Sequence, residues 1–377
     1  MRLELAQTLM ADFADATGVS GETRPRRYLW TDAFAVCNFL GLYRQTGDEL
    51  YLRYARELID QVHHILGRHR EDDSRRGWIS GLSEEEGERH PTIGGLRIGK
   101  RLNEHGPLEE PDAFLEWEQD GQYFHYLTKW VHALYRAGRE LSEPLYQRWA
   151  AELAVSAQRA FTYEISPGGL KRMVWKMSID LSRPLVPSMG QHDPLDGLIA
   201  CLELQIDDPH EPGNDADVAP AVAELSKMCE RSRLVTEDTL GIGGLLDAAA
   251  RLAQMVFLRG IEYRRLLRQL FVAADLSLQA FDRTPLFSGF AERRLAFREL
   301  GLSIGIRGLE AIRGPVEPDR ELTAIIVSLL QSQPLAAAIE DFWCDPAHRL
   351  TQTWLEHRDI NTVMLATSLA PDGYLTL

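Results

Sequence analysis

The chain of 377 residues is 45% hydrophobic and 26% charged, the balance of a folded globular protein rather than a disordered or fibrous one. Its 41 basic and 56 acidic residues leave a net charge of −15, which repels polyphosphate and argues against generic nucleic-acid binding. Four cysteines (Cys37, Cys201, Cys229 and Cys344) show no Cys-x-x-Cys spacing, so neither a disulfide framework nor a zinc knuckle is expected, and the expected setting is reducing and cytoplasmic.

Near the N-terminus, Glu4 and Asp12 interrupt the apolar core that a signal peptide needs. No stretch reads as a membrane span, since the best candidate, Leu240–Leu258, contains Asp247 and Arg251. In chain order, two kinds of helix alternate. Wet-faced helices are predicted near 2–15, 48–68, 143–162, 217–232, 260–280 and 319–343. In the second of these, Tyr51, Tyr54, Ala55, Leu58, Ile59, Val62, Ile65 and Leu66 recur at steps of three and four, one buried stripe on a charged helix. Helices apolar nearly all round, and rich in Gly, Ala and Ser, are predicted near 30–45, 119–138, 190–206, 238–257, 289–311 and 356–370.

Connections leaving a buried helix are mostly short, as at Thr46-Gly47-Asp48, while Asp207–Asp217 is a longer turn rich in Pro, Gly and Asp. Connections entering one are mostly long: 16–29, 69–118, 163–189, 281–288 and 344–355, with Glu230–Glu237 the short exception. Six antiparallel pairs with that asymmetry close into a two-layer helical ring, one domain over 1–377, with the long loops gathered at one end. Within the loops, Leu170–Leu181 alternates like a strand, with Met173, Trp175, Met177 and Ile179 opposite Arg172, Val174, Lys176 and Ser178. Thr92–Ile98 is a weaker strand expectation.

The alternating pairs, with the phrase WTDAF…LGLYRQTGDELYLRYARELID at Trp30–Asp60, resemble the six-hairpin glycosidase-like superfamily. The resemblance implies an all-α (α/α)6 toroid, here with small β-hairpins in its long loops, and a carbohydrate substrate class in the main. Fold alone does not fix the reaction.

With the loop end as the active face, the polar residues opening each buried helix become candidates. Asp32 and Asp120 open consecutive buried helices and are expected to form a general acid/base pair, with Glu116 or Asp193 as substitutes. Each carboxylate has a plain alternative as a helix N-cap. His192 and Asp193, ahead of Pro194, sit at the mouth of a helix and are expected to join the chemistry. Trp30, Trp117, Tyr123, His125, Trp175, His357 and Asp359 are expected to bind substrate, the aromatic faces offering apolar surface to sugar C–H groups. Arg97 and Arg101, with Lys100 between them, are candidates for an anionic group such as a uronate, against the alternative of a solvated basic loop.

Several matches are refused. Gly301-Leu302-Ser303-Ile304-Gly305 has no preceding strand and lies in a helical run, so it is no nucleophile elbow. Gly241-Ile242-Gly243-Gly244 lacks the spacing of a dinucleotide loop, and His63, His64 and His69 lack a metal-site arrangement. The expectation is therefore a glycoside hydrolase with paired carboxylates, taking a small molecule or oligosaccharide, without cofactor, metal, nucleic acid or membrane. A sugar isomerase or epimerase using His125, His192 and His357, or a non-catalytic binding toroid, is the alternative. Oligomeric state is not readable from the chain.

Overall fold

The computed structural model describes residues 2–377 apart from 107, 108, 110, 111, 113, 114, 167, 168, 170, 207–216, 282, 284–288 and 318. The helices are α1 (Arg2–Thr17), α2 (Leu29–Thr46), α3 (Glu49–Leu66), α4 (Glu84–Arg89), α5 (Phe124–Glu140), α6 (Pro144–Phe161), α7 (Asp193–Ile206) and α8 (Ala219–Cys229). They continue with α9 (Thr239–Arg259), α10 (Arg264–Ala280), α11 (Ala296–Val316), α12 (Arg320–Leu329), α13 (Gln333–Cys344), α14 (Gln352–Glu356), α15 (Arg358–Leu369) and α16 (Asp372–Leu375). Every helix expected from periodicity has a counterpart in its place. The segment expected at 319–343 is divided by a 3-10 turn at Leu330–Ser332, with Pro334 opening α13. The Asp207–Asp217 turn lies, but for Asp217, outside the described residues.

Contacts divide the chain into two compact units. The first comprises Met1–Ala16, Asn38–Asp48 and Arg233–Leu377; the second comprises Thr17–Cys37 and Glu49–Ser232. In the first unit, α9 and α11 meet backbone to backbone. A Cβ on Gly243 or on Gly305 would collide with the carbonyl of Gly301 or of Gly243, respectively, so only glycine permits this approach. The two glycine motifs refused above are thus the two sides of a helix seam. Ser303 donates to the buried Glu340 at 2.7 Å, a structural use of the hydroxyl. Asp247 and Arg251, the charges inside the apolar α9, pair at 2.9 Å.

One expectation is corrected here. By length and composition both Thr239–Arg259 and Arg320–Cys344 meet the measure of a membrane span. The most apolar window of the first is 78% buried within the fold, as a core helix requires, and that of the second 39%.

In the second unit, α5 packs on α6 and α7, and α7 on α8. Two small antiparallel ladders cross the loops. β1 (Gln122–Tyr123) pairs with β4 (Lys176–Met177), and β2 (Thr162–Glu164) with β3 (Lys171–Met173). On the face opposite Met173, Trp175, Met177 and Ile179, Val174, Lys176 and Ser178 are buried and Arg172 is exposed. Thr92–Ile98 forms no strand. Gly95 takes a positive φ of 76°, and the Leu96 amide donates to the Gln122 side chain at 2.8 Å instead of to a neighbouring strand. Cys37, Cys201 and Cys229 are buried and Cys344 half-buried, all as free thiols.

Candidate active site

The second unit builds its loop floor around one carboxylate. Asp120 is fully buried and accepts from Arg97 Nη1 at 2.5 Å, Gly99 N at 3.0 Å, Gly121 N at 3.1 Å, Lys100 N at 3.3 Å and Arg70 Nη1 at 3.4 Å. That many donors tie the loop to the carboxylate. Gly99, at φ 91°, is required because a Cβ would strike the Arg27 carbonyl. Asp32, also fully buried, accepts the Tyr28 amide at 2.9 Å and faces Arg27 Nη1 at 3.5 Å. Both members of the expected acid/base pair are thus committed to arginine and backbone amides.

Glu116 is buried against Lys176 Nζ at 2.6 Å, with His105 Nδ1 at 3.4 Å. Lys176, itself fully buried, also donates to the carbonyls of Glu116 and Gln119 at 2.7 and 3.0 Å. Arg97 is corrected as an anion site. Each of its three nitrogens donates within the loop, to the Arg68 carbonyl at 2.6 Å, the Ile65 carbonyl at 2.6 Å and Asp120, so the buried guanidinium serves the loop rather than a ligand. Arg101 is exposed, and its carbonyl accepts from Arg70 Nη2 at 2.8 Å.

Above this floor lies a run of rings. Trp117, 61% exposed, stacks on Trp175 with centroids 5.5 Å apart; Trp175 meets Tyr123 at 5.1 Å. Tyr123 stacks on His125 at 5.7 Å, and Trp30 meets His125 edge-on at 6.1 Å. Tyr126 touches Trp30, Tyr123 and His125 at 5.3, 5.0 and 4.9 Å, and its hydroxyl pairs with that of Tyr28 at 2.6 Å. Five of the residues expected to bind substrate (Trp30, Trp117, Tyr123, His125 and Trp175) are brought into this single cluster.

His125 leads to the chemistry. Its Nδ1 lies 3.8 Å from Asp193 Oδ1, at the first turn of α7, and Asp193 accepts the Gly190 amide at 3.0 Å. Burial, then the nearby charge of Asp196, pushes the Asp193 carboxyl up to about 7. Burial pulls the His125 imidazole down to about 4. Between those values the proton of the pair resides on the carboxyl, and the imidazole is neutral. Asp196 faces the Lys129 ammonium at 4.0 Å. His192, half-buried, immediately precedes Asp193.

The two remaining expected residues fall in the first unit. His357 is exposed and meets Phe297 edge-on at 5.4 Å. Asp359, half-buried, lines a cavity of about 350 Å³ with Asp12, Phe13, Arg349, Trp354 and Arg358. Sequence reasoning missed the roles of Tyr28, Tyr126 and Lys176; the only signal for Lys176 was its place in the alternating segment. Among the described residues no three His, Cys, Asp or Glu side chains gather as metal ligands would.

No family model and no curated protein matches the chain. Solved structures do. The GH76A α-1,6-mannanase of Salegentibacter sp. HEL1_6 aligns over 98% of this chain and 99% of its own, with 13% identity and a TM-score of 0.56. An inactive variant of that protein with two aspartates changed to asparagine, in complex with α-1,6-mannotriose, gives the same figures. Its counterpart with two alanines, bound to α-1,6-mannotetrose, aligns with 12% identity and a TM-score of 0.57. At such identity the likeness shows the fold alone: the all-α (α/α)6 toroid that the alternation of helices led us to expect.

Proposed function

We propose that the protein is a carbohydrate-active enzyme, a glycoside hydrolase whose general acid is Asp193. The observation that carries this reading is a buried carboxyl keeping its proton to about pH 7 at the end of an aromatic run that reaches solvent at Trp117. A glycosidic oxygen needs such a proton donor as its bond to C1 breaks. Asp193 donates the proton, a water adds to C1, and Asp196, one helical turn on, takes the proton that water releases. The Gly190 amide holds the acid in place, with the neutral His125 beside it. Trp117, Trp175 and Tyr123 give sugar rings the apolar faces they need.

The mannanase complexes with mannotriose and mannotetrose support an oligosaccharide as the ligand class. They do not supply the catalytic residues. The substituted aspartates of that protein are consecutive. The consecutive pairs here are Asp72-Asp73, bound by Arg70 and Arg75 respectively, and Asp207-Asp208, outside the described residues. Reading residues 1–377 as one domain rests on the extent of that alignment, and the cytoplasmic setting on the four free thiols.

The test is to incubate wild type and Asp193→Asn with neutral and acidic oligosaccharides and follow reducing ends, then repeat in deuterated water. Cleavage by wild type that is lost in the variant supports the reading. Deuterium incorporation without cleavage would mark an isomerase, and binding without turnover in either solvent a binding toroid.

A further inference from the structure

We infer that the saccharide taken by this site is acidic, and that Lys100 receives its carboxylate; the inference rests on the reading of the cluster as a saccharide site. Lys100 is half-buried, and its ammonium lies over the Tyr28 ring, 5.6 Å from the centroid. Among the described residues it makes no ion pair or side-chain hydrogen bond. The nearest negative charges are Glu118 and Asp120, and Asp120 is already occupied by Arg97 and Arg70. A partly desolvated, unpaired cation is costly unless an anion comes to it.

The position of Lys100 is built rather than incidental. Its amide donates to Asp120 at 3.3 Å and its carbonyl accepts from Arg70 Nη1 at 2.6 Å, so the backbone is clamped on both sides. A solvated surface lysine needs no such clamp. The Tyr28 hydroxyl pairs with that of Tyr126, which touches Trp30, Tyr123 and His125. The cation therefore stands on the same cluster as the acid.

Two further atoms there want an oxygen. Trp30 Nε1 and Tyr123 Oη are buried and have no hydrogen-bond partner among the described residues, although both side chains are more than nine-tenths buried. Buried donors in a folded protein are nearly always satisfied, so acceptors from outside the chain are called for. Sugar hydroxyls supply them, and a uronate supplies the charge that Lys100 lacks. The guanidinium of Arg97 is buried and turned to Asp120 and two carbonyls.

The experiment uses the full chain and matched probes: trigalacturonate and an alginate trisaccharide, each beside the same sugar with its carboxyls reduced to alcohols, and α-1,6-mannotriose as a neutral reference. Calorimetry and reducing-end assays are run on wild type, Lys100→Met and Lys100→Arg. At least one acidic probe should bind tenfold or more tighter than its reduced form, with the advantage shrinking as salt is raised. Lys100→Met should erase that advantage and Lys100→Arg retain most of it. Equal binding of the acidic and reduced forms, binding of mannotriose alone, or an advantage that survives Lys100→Met overturns the inference while leaving the saccharide site standing. Failure of every probe to bind overturns both readings.

Discussion

Glu340 in the first unit and Asp193 in the second are both buried carboxyls, and their surroundings differ in kind. Glu340 accepts from Arg307 at 2.6 and 2.9 Å, from Ser303 at 2.7 Å and Ser368 at 2.9 Å, and pairs with Arg2 at 2.8 Å. Among the described residues the Asp193 side chain accepts from one donor, the Gly190 amide, and has an imidazole 3.8 Å away. A carboxyl filled with donors ties helices together. A carboxyl starved of them keeps a proton that it can transfer.

The contrast is easiest to break at Asp193. Asp193→Asn should lower turnover by roughly 10²–10⁴-fold, the usual worth of a general acid, while the protein stays folded. Unchanged turnover would remove Asp193 from the mechanism. Glu340→Gln should do the reverse, sparing chemistry and costing about 3–5 kcal/mol in urea unfolding, because Arg307 loses the charge buried against it.

The glycine seam sharpens the structural side of the comparison. Gly243→Ala should destabilise by about 1–3 kcal/mol, since the new Cβ meets the unyielding carbonyl of Gly301. Gly244→Ala, with nothing within 4 Å of its added Cβ, should instead stabilise by about 0.5–1 kcal/mol. Equal effects at the two positions would deny the close approach.

A smaller effect concerns pH. The Asp193 carboxyl is raised from 3.8 to about 7 in the fold, and the His125 imidazole lowered from 6.5 to about 4. From about pH 4 to 6.5 the folded pair holds one proton, on Asp193, and the unfolded pair also holds one, on histidine. Their contributions to pH-dependent stability cancel in that window. Asp193→Asn leaves only the histidine term, so stability should rise relative to wild type as pH climbs to 6.5. His125→Gln leaves only the carboxyl term, so stability should fall between about pH 4 and 7. Parallel curves for wild type and both variants would show that the proton is not shared in this way. Smallest of all, Trp117→Ala should weaken oligosaccharide binding by about 0.5–1.5 kcal/mol without altering the melting temperature, because the ring is mostly in solvent.

What could be read from the chain alone follows the range of each interaction. The helices were legible because a stripe such as Tyr51–Leu66 records its burial within a few residues. Trp30, Tyr123 and His125 were legible because each opens a buried helix and so comes to the same end of its bundle. The roles of the carboxylates were not. Asp120 reads as catalytic until Arg97, 23 positions away, is seen to fill it, and Glu116 until Lys176, 60 positions away, does the same. Thr92–Ile98 reads as a strand because apolar spacing does not reveal that a glutamine side chain will take the place of a neighbouring strand.

The thiols described among the helices have a practical corollary. Burial pushes Cys201 and Cys229 up to about 12, far from the thiolate that alkylating reagents require, and Cys37 is buried as well. Cys344, at the end of α13, is the most accessible of the four. A maleimide dye offered to the native protein should therefore mark that position first, giving the molecule a ready-made attachment point for fluorescence work without any engineered residue.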